Sequence, residues 1–250
     1  MTGIPITRIA AAALLLLAAY ALGLASAHYG LFPWPQIVAV KQQVIGPAPW
    51  LTNDEYRMSE VPVISAERYS TLATPAEIVM VGDSVTAAGR WDEYFPEASI
   101  INRGVNGDMI GGLEKRVDAI LASRPEKVFI MIGINDIAAR NSAPQVAERY
   151  GRVLDAFAAG GAELFVQSVI TCRPAGRTSC PPAMQDEIGA LNAMLRDLAA
   201  EKDATFVDVD AALSDEGGVK AQYSLDGIHP GSAGYAAWRR VLAPYIGAAS

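Results

Sequence analysis

From about residue 76 onward, short apolar runs alternate with segments whose apolar residues recur every three or four positions. The runs 77–81, 99–102, 127–132, 164–170 and 205–209 are rich in β-branched and aromatic residues and read as buried strands. Between them, Ile110, Leu113, Val117 and Ile120 share one helical face, and Met184, Ile188, Leu191, Leu195 and Leu198 share another. Tyr150, Val153, Leu154 and Phe157 mark a third helix. Ala233, Ala237, Val241 and Tyr245 mark a last one, opened by Pro230-Gly231-Ser232. Strands alternating with helices predict βαβ units with right-handed crossovers and helices on both faces. The expected fold is a three-layer α/β/α sandwich with a five-stranded, mainly parallel sheet of flavodoxin-like type. The pattern leaves the strand order open.

Parallel strands point their C-terminal ends to one edge, where α/β proteins place their chemistry. The residues that follow the predicted strands should therefore share a rim. After the first strand comes Gly82-Asp83-Ser84; after the second, Asn102-Arg103-Gly104; after the third, Gly133-Ile134-Asn135-Asp136. Asp226 and His229, in Asp226-Gly227-Ile228-His229-Pro230, are expected to follow the last strand and precede the final helix.

These residue types match the needs of acyl transfer: a nucleophile, a base, a group that orients the base, and donors for the oxyanion. Ser84 can attack. The chain has two histidines, and His28 lies beside a long apolar segment, so a base for Ser84 is His229. Asp226, three residues earlier, can hold the imidazole. The Ser84 and Gly104 N–H groups and the Asn135 side-chain amide are the candidate oxyanion donors. Plainer roles exist for each. Ser84, Asn135 and Asp226 are all good helix-capping residues, and Gly104 suits a turn. Asp83 and Asp136 read as structural, and Trp91 and Tyr94 as core rather than as an acyl pocket.

Four of these blocks together resemble the SGNH (GDSL-type) hydrolases. Gly82-Asp83-Ser84 is similar to the first block of that family, with Val85 where leucine is common. Gly104, in Asn102-Arg103-Gly104-Val105-Asn106-Gly107-Asp108, looks like the second. Gly133-Ile134-Asn135-Asp136 resembles the third and Asp226-Gly227-Ile228-His229 the fifth. The Asn-Arg-Gly form of the second block is most similar to the platelet-activating-factor acetylhydrolase-like branch and related bacterial esterases. The resemblance spans about residues 76–245. It implies Ser84 as nucleophile, His229 as base, Asp226 as third member, and Ser84, Gly104 and Asn135 as the oxyanion group. It implies hydrolysis of a small-molecule carboxylic ester (short acyl, lysophospholipid or acetyl-sugar) with no cofactor. An O-acyltransferase acting on envelope glycans is the alternative outcome of the same chemistry, and a non-catalytic envelope binding module is a more distant one.

Composition adds a location. Residues 9–27 carry no charge and follow Arg8. Two readings stand: a signal cleaved after Ala27, in the Ala25-Ser26-Ala27 context, or an uncleaved single-pass anchor with Tyr29, Phe32 and Trp34 at the interface. Either exports the remaining chain. Residues 1–27 thus form the targeting segment, 28–75 a proline-rich connector, and 76–250 the hydrolase domain. The net charge of −7, with no basic cluster, argues against nucleic-acid binding. Cys172 and Cys180 flank a polar segment and could close a disulfide in an oxidising compartment. They are too few to make a metal site.

Overall fold

The computed structural model describes residues 74–175 and 180–247. The targeting segment and almost all of the connector lie outside the described residues. Within them, no helix is long and apolar enough to cross a membrane.

The five expected strands are present: β1 (Ile78–Gly82), β2 (Ile100–Gly104), β3 (Lys127–Met131), β4 (Glu163–Gln167) and β5 (Thr205–Val207). All pairings are parallel, in the order β2-β1-β3-β4-β5. The order reverses beside β1, which leaves a crevice at the carboxyl ends of β1, β2 and β3. β1 is buried along its whole length because both faces of the sheet are covered.

Alternate residues of the strands feed two cores. Val79, Val81, Val128, Ile130, Leu164 and Val166 face one layer of helices. That layer comprises α3 (Ile110–Leu121), α5 (Ala143–Ala159) and α6 (Pro182–Glu201). Ile78, Met80, Phe129, Met131 and Phe165 face the other, which includes α2 (Trp91–Tyr94), α7 (Val209–Leu213) and α8 (Ser232–Ile246). Trp91 is 1% exposed and meets Trp238 edge-on at 4.8 Å, so it belongs to this second core, as expected.

Two short helices were not legible in the apolar pattern: α1 (Ser84–Ala87) and α4 (Ile134–Ala138) start directly where β1 and β3 end. They are too brief to show a helical period. Nor does the Asp226–His229 segment follow the last sheet strand directly. After β5 the chain forms α7 and then a small antiparallel hairpin, β6 (Ser214–Asp215) with β7 (Gly218–Val219). Strands of two residues carry no alternation to read.

Candidate active site

The first turn is built by Asp83 and Asn102. Asp83 caps α1, its Oδ1 accepting the Val85 N–H at 2.9 Å. Asn102 closes the other end of that helix: its amide donates to the carbonyls of Thr86, Ala87 and Gly89 at 2.9–3.0 Å. From α8, the Tyr235 hydroxyl donates to the Val85 carbonyl at 2.6 Å. Ser84 therefore stands on a turn pinned from three sides. Its backbone N–H, at the first helical position, has no acceptor among the described residues.

His229 arrives from 145 residues away, with Nε2 2.9 Å from Ser84 Oγ. On its other side Nδ1 lies 2.7 Å from Asp226 Oδ2. Asp226 is fixed in turn by its second oxygen. Oδ1 accepts the N–H groups of Ile228 (2.9 Å) and His229 (2.8 Å) and the Ser224 hydroxyl (3.1 Å). Partial burial would raise the Asp226 carboxyl. The His229 ring and these N–H donors outweigh it and hold the group well below the usual carboxylate range. Asp226 is thus an anion aimed at the imidazole, not a helix cap. The Asp226 and His229 side chains are 51% and 43% exposed, so both stand at the surface among the described residues.

Asn135 lies inside α4, not at its start, and its Nδ2 donates to the Asp108 carbonyl at 2.8 Å. A side-chain amide has two hydrogens, so one is left for a ligand. Gly104 requires a correction. Its N–H donates to Asn102 Oδ1 at 2.9 Å and is engaged within the protein. The glycine is needed for packing: a Cβ there would stand 2.4 Å from the Ala87 nitrogen, so a side chain would push α1 off β2. Three residues on, Gly107 takes φ +75, is exposed, and has an N–H with no acceptor among the described residues. Its neighbour Asp108 holds Asn135. Both glycines sit in the same quoted motif. Only the path of the chain separates a packing glycine from one at the rim.

Beneath the rim lies a group of buried charges. Arg116 donates to Asp108 Oδ2 at 2.9 Å and to the carbonyls of Arg103 (2.7 Å) and Gly82 (3.2 Å). It therefore ties the ends of β1 and β2 to the 108 turn. Asp136 Oδ2 accepts the Ile110 N–H at 3.0 Å, at the start of α3. Asp83 and Asp136 are structural, as expected. Burial pushes the Asp83 carboxyl up to about 7, against the Val85 N–H, with Asp108 and Asp136 adding repulsion. Burial likewise raises Asp136 to about 7, against the Ile110 N–H and the Asn141 side chain.

An acid whose folded pKa is raised holds its proton longer in the native state. Its stabilising contribution is complete below the unfolded value near 4 and is lost as pH rises to about 7. Unfolding free energy measured from pH 4 to 8 should therefore carry a falling component. Asp83→Asn should flatten it; an unchanged slope in that variant would refute the assignment.

The fold and this geometry bring a serine, a histidine and an acid together at the carboxyl edge of a parallel sheet, the groups that an ester hydrolase needs. Residues 80–237 match the GDSL-like Lipase/Acylhydrolase family, and the chain belongs to it. It is 25% identical over 210 residues to the acetylxylan esterase of Geobacillus stearothermophilus, covering 68% of this chain and 94% of that protein. A Streptococcus pneumoniae protein assigned as a platelet activating factor superposes with TM-score 0.68 at 25% identity, over 75% of this chain and 93% of that one. A GDSL-like lipase of Bacteroides thetaiotaomicron superposes with TM-score 0.60 at 21% identity, over 74% and 96%. The protein is a carboxylic-ester hydrolase of the SGNH class, and its substrates are small-molecule esters.

Proposed function

We propose that this is an exported serine esterase acting on short-acyl esters, acetylated saccharides first among them. Ser84 Oγ attacks the ester carbonyl carbon while His229 Nε2 takes its proton. Asp226 holds the imidazole tautomer and stabilises the imidazolium. The oxyanion is received by the Ser84 N–H, the Asn135 amide and, in place of Gly104, the Gly107 N–H. The tetrahedral adduct collapses to an acyl-enzyme, and His229 returns its proton to the departing alcohol. Water then attacks the acyl-enzyme with His229 again as base, releasing the acid and free Ser84.

The observation that carries this reading is the unbroken chain Asp226–His229–Ser84, at 2.7 and 2.9 Å. The exposure of Asp226 and His229 favours esters carried on bulky alcohols, which a buried base would exclude. The acetylxylan esterase relative supports an acetyl group on a saccharide. Solved forms of that esterase described as catalytic mutants carry alanine for a serine and for a histidine. Export rests on the uncharged segment 9–27 and on Cys172 and Cys180, whose sulfurs lie at disulfide distance with Cα atoms 5.9 Å apart.

The test is a chain-length series of acyl esters, run with an acetylated xylo-oligosaccharide and a lysophospholipid, beside fluorophosphonate labelling of Ser84. kcat/KM should peak at acetyl and be highest for the saccharide. A peak at long chains moves the substrate to lipids, acylated acceptor formed faster than free acid makes the protein a transferase, and an unlabelled Ser84 overturns the serine mechanism. Intact-mass analysis of the membrane and secreted fractions reads both the start of the mature chain and the Cys172–Cys180 bond.

A further inference from the structure

The segment 224–230 is shaped from within but placed from without. Asp226 organises it through the Ile228, His229 and Ser224 bonds, and the Gly227 N–H donates to Ser224 Oγ at 3.0 Å. Ser224 and Pro230 close its neck as a bridge. Among the described residues, its hydrogen bonds reach outside the neighbouring chain in two places only. One is the Ser84–His229 contact itself. The other is the Arg173 N–H, which donates to the Gly227 carbonyl at 2.8 Å. Gly227, at φ +81, lies flat on Arg173: a Cβ there would fall 1.9 Å from the Arg173 carbonyl oxygen.

Arg173 belongs to a strap, residues 171–175, wedged between this loop and the β6–β7 hairpin. Its Nε donates to the Val219 carbonyl at 2.6 Å, its Nη2 to the Gly218 carbonyl at 3.1 Å, and it pairs with Asp215. The strap is also held elsewhere: the Thr171 carbonyl accepts the Val219 N–H at 2.7 Å, and Cys172 is paired with Cys180. Thr171 bonds Asp210 through N–H (2.7 Å) and hydroxyl (2.9 Å), and Gln185 from α6 donates to the Cys172 and Gly217 carbonyls at 2.9 and 3.0 Å.

We propose that Arg173 is a positioning residue for ester hydrolysis. Its guanidinium clamps the strap to the hairpin, and through the Gly227 bond the strap sets His229 at reacting distance from Ser84. The proposal rests on the Ser84–His229 reading above. The loop keeps its own turn without the clamp, so loss of Arg173 misplaces the base rather than dissolving it. Small errors in the placement of a reacting group are costly in rate and light in binding.

The experiment compares Arg173→Ala, Arg173→Lys, Asp215→Asn and Gln185→Ala with the full-length wild type. Steady-state hydrolysis of a short-chain aryl ester, melting temperature and amide exchange over 224–230 are read for each. Arg173→Ala should lower kcat by about 10- to 100-fold with KM within about twofold, and speed exchange over 224–230. Arg173→Lys should recover only part of the rate, because one ammonium lacks the fork that spans both carbonyls. Asp215→Asn, which keeps both carbonyl bonds, should stay within about twofold of wild type, on the weakness of exposed ion pairs. A folded Arg173→Ala protein with wild-type kcat overturns the proposal, and so does an equal fall in Asp215→Asn. Should Arg173→Ala not fold, Gln185→Ala decides: a severalfold loss of kcat supports the strap, and none overturns it. Exchange over 224–230 reads loop placement without catalysis. A wild type whose Ser84 resists fluorophosphonate would sink the serine mechanism alone, and unchanged exchange over 224–230 in Arg173→Ala would sink the clamp.

Discussion

Ester hydrolysis by the Ser84→Ala protein is expected to fall by roughly 10⁵- to 10⁶-fold in kcat, with KM little changed, on the scale of lost serine triads. Among the described residues Ser84 Oγ has one hydrogen-bond partner, His229, and the capping of α1 is done by Asp83. The substitution therefore removes the nucleophile without loosening the turn. Melting temperature should stay within a few degrees of wild type. His229→Ala should cost a similar factor, and the double variant little more than either, because nucleophile and base act as one unit. Single-turnover and steady-state rates on the same ester check this. Activity above about a tenth of wild type in Ser84→Ala would remove Ser84 from the mechanism. Multiplying penalties in the double variant would mean that His229 does not act through Ser84.

The second large effect concerns stability. Arg116→Met should cost about 3–5 kcal/mol, the usual penalty for breaking a buried ion pair from one side. Arg116 is 6% exposed and Asp108 1%. The methionine would leave Asp108 buried beside Asp83 and Asp136, and the Gly82 and Arg103 carbonyls without their donor. For a domain of this size that corresponds to a fall in Tm of roughly 6–20 °C. Adding Asp108→Asn should restore a good part of it, since the charge that faced Arg116 is then gone. Calorimetry on the two variants reads both numbers. A Tm within about 2 °C of wild type for Arg116→Met would show that the pair is not what holds the rim together.

Arg116 also shows where reading from sequence stops. It lies on the same helix as Ile110, Leu113, Val117 and Ile120, whose spacing announces α3. A charge among them looks like the solvated side of that helix. It is buried because α3 starts under the rim, where three carbonyl and carboxylate groups need a cation. Asn102 is similar. A polar residue in a buried strand is visible in the sequence, but its bonds to the carbonyls of Thr86, Ala87 and Gly89, thirteen to sixteen positions earlier, are not. Motif and placement after a strand point to Gly104 as an oxyanion donor. The Asn102 side chain already occupies its N–H, and Gly107 carries the exposed one.

What the chain determined by itself is local or one-dimensional. Continuous apolar runs and period-3.6 patterns predict buried strands and amphipathic helices, and their alternation predicts parallel pairing. The scarcity of histidine, with His28 beside the uncharged segment, points to His229 as the expected base. Ser84, Asn135, Asp226 and His229 could be named because chemistry restricts which side chains can serve. What only the tertiary structure decided depends on distance between remote segments. The strand order, the hairpin that carries the chain round to Asp226, the burial of Asp83, Asp136 and Arg116, and the strap beneath Gly227 are of this kind. Hydrogen bonds and desolvation act over a few ångströms, and positions 84 and 229 become neighbours only when the sheet has closed between its two layers of helices.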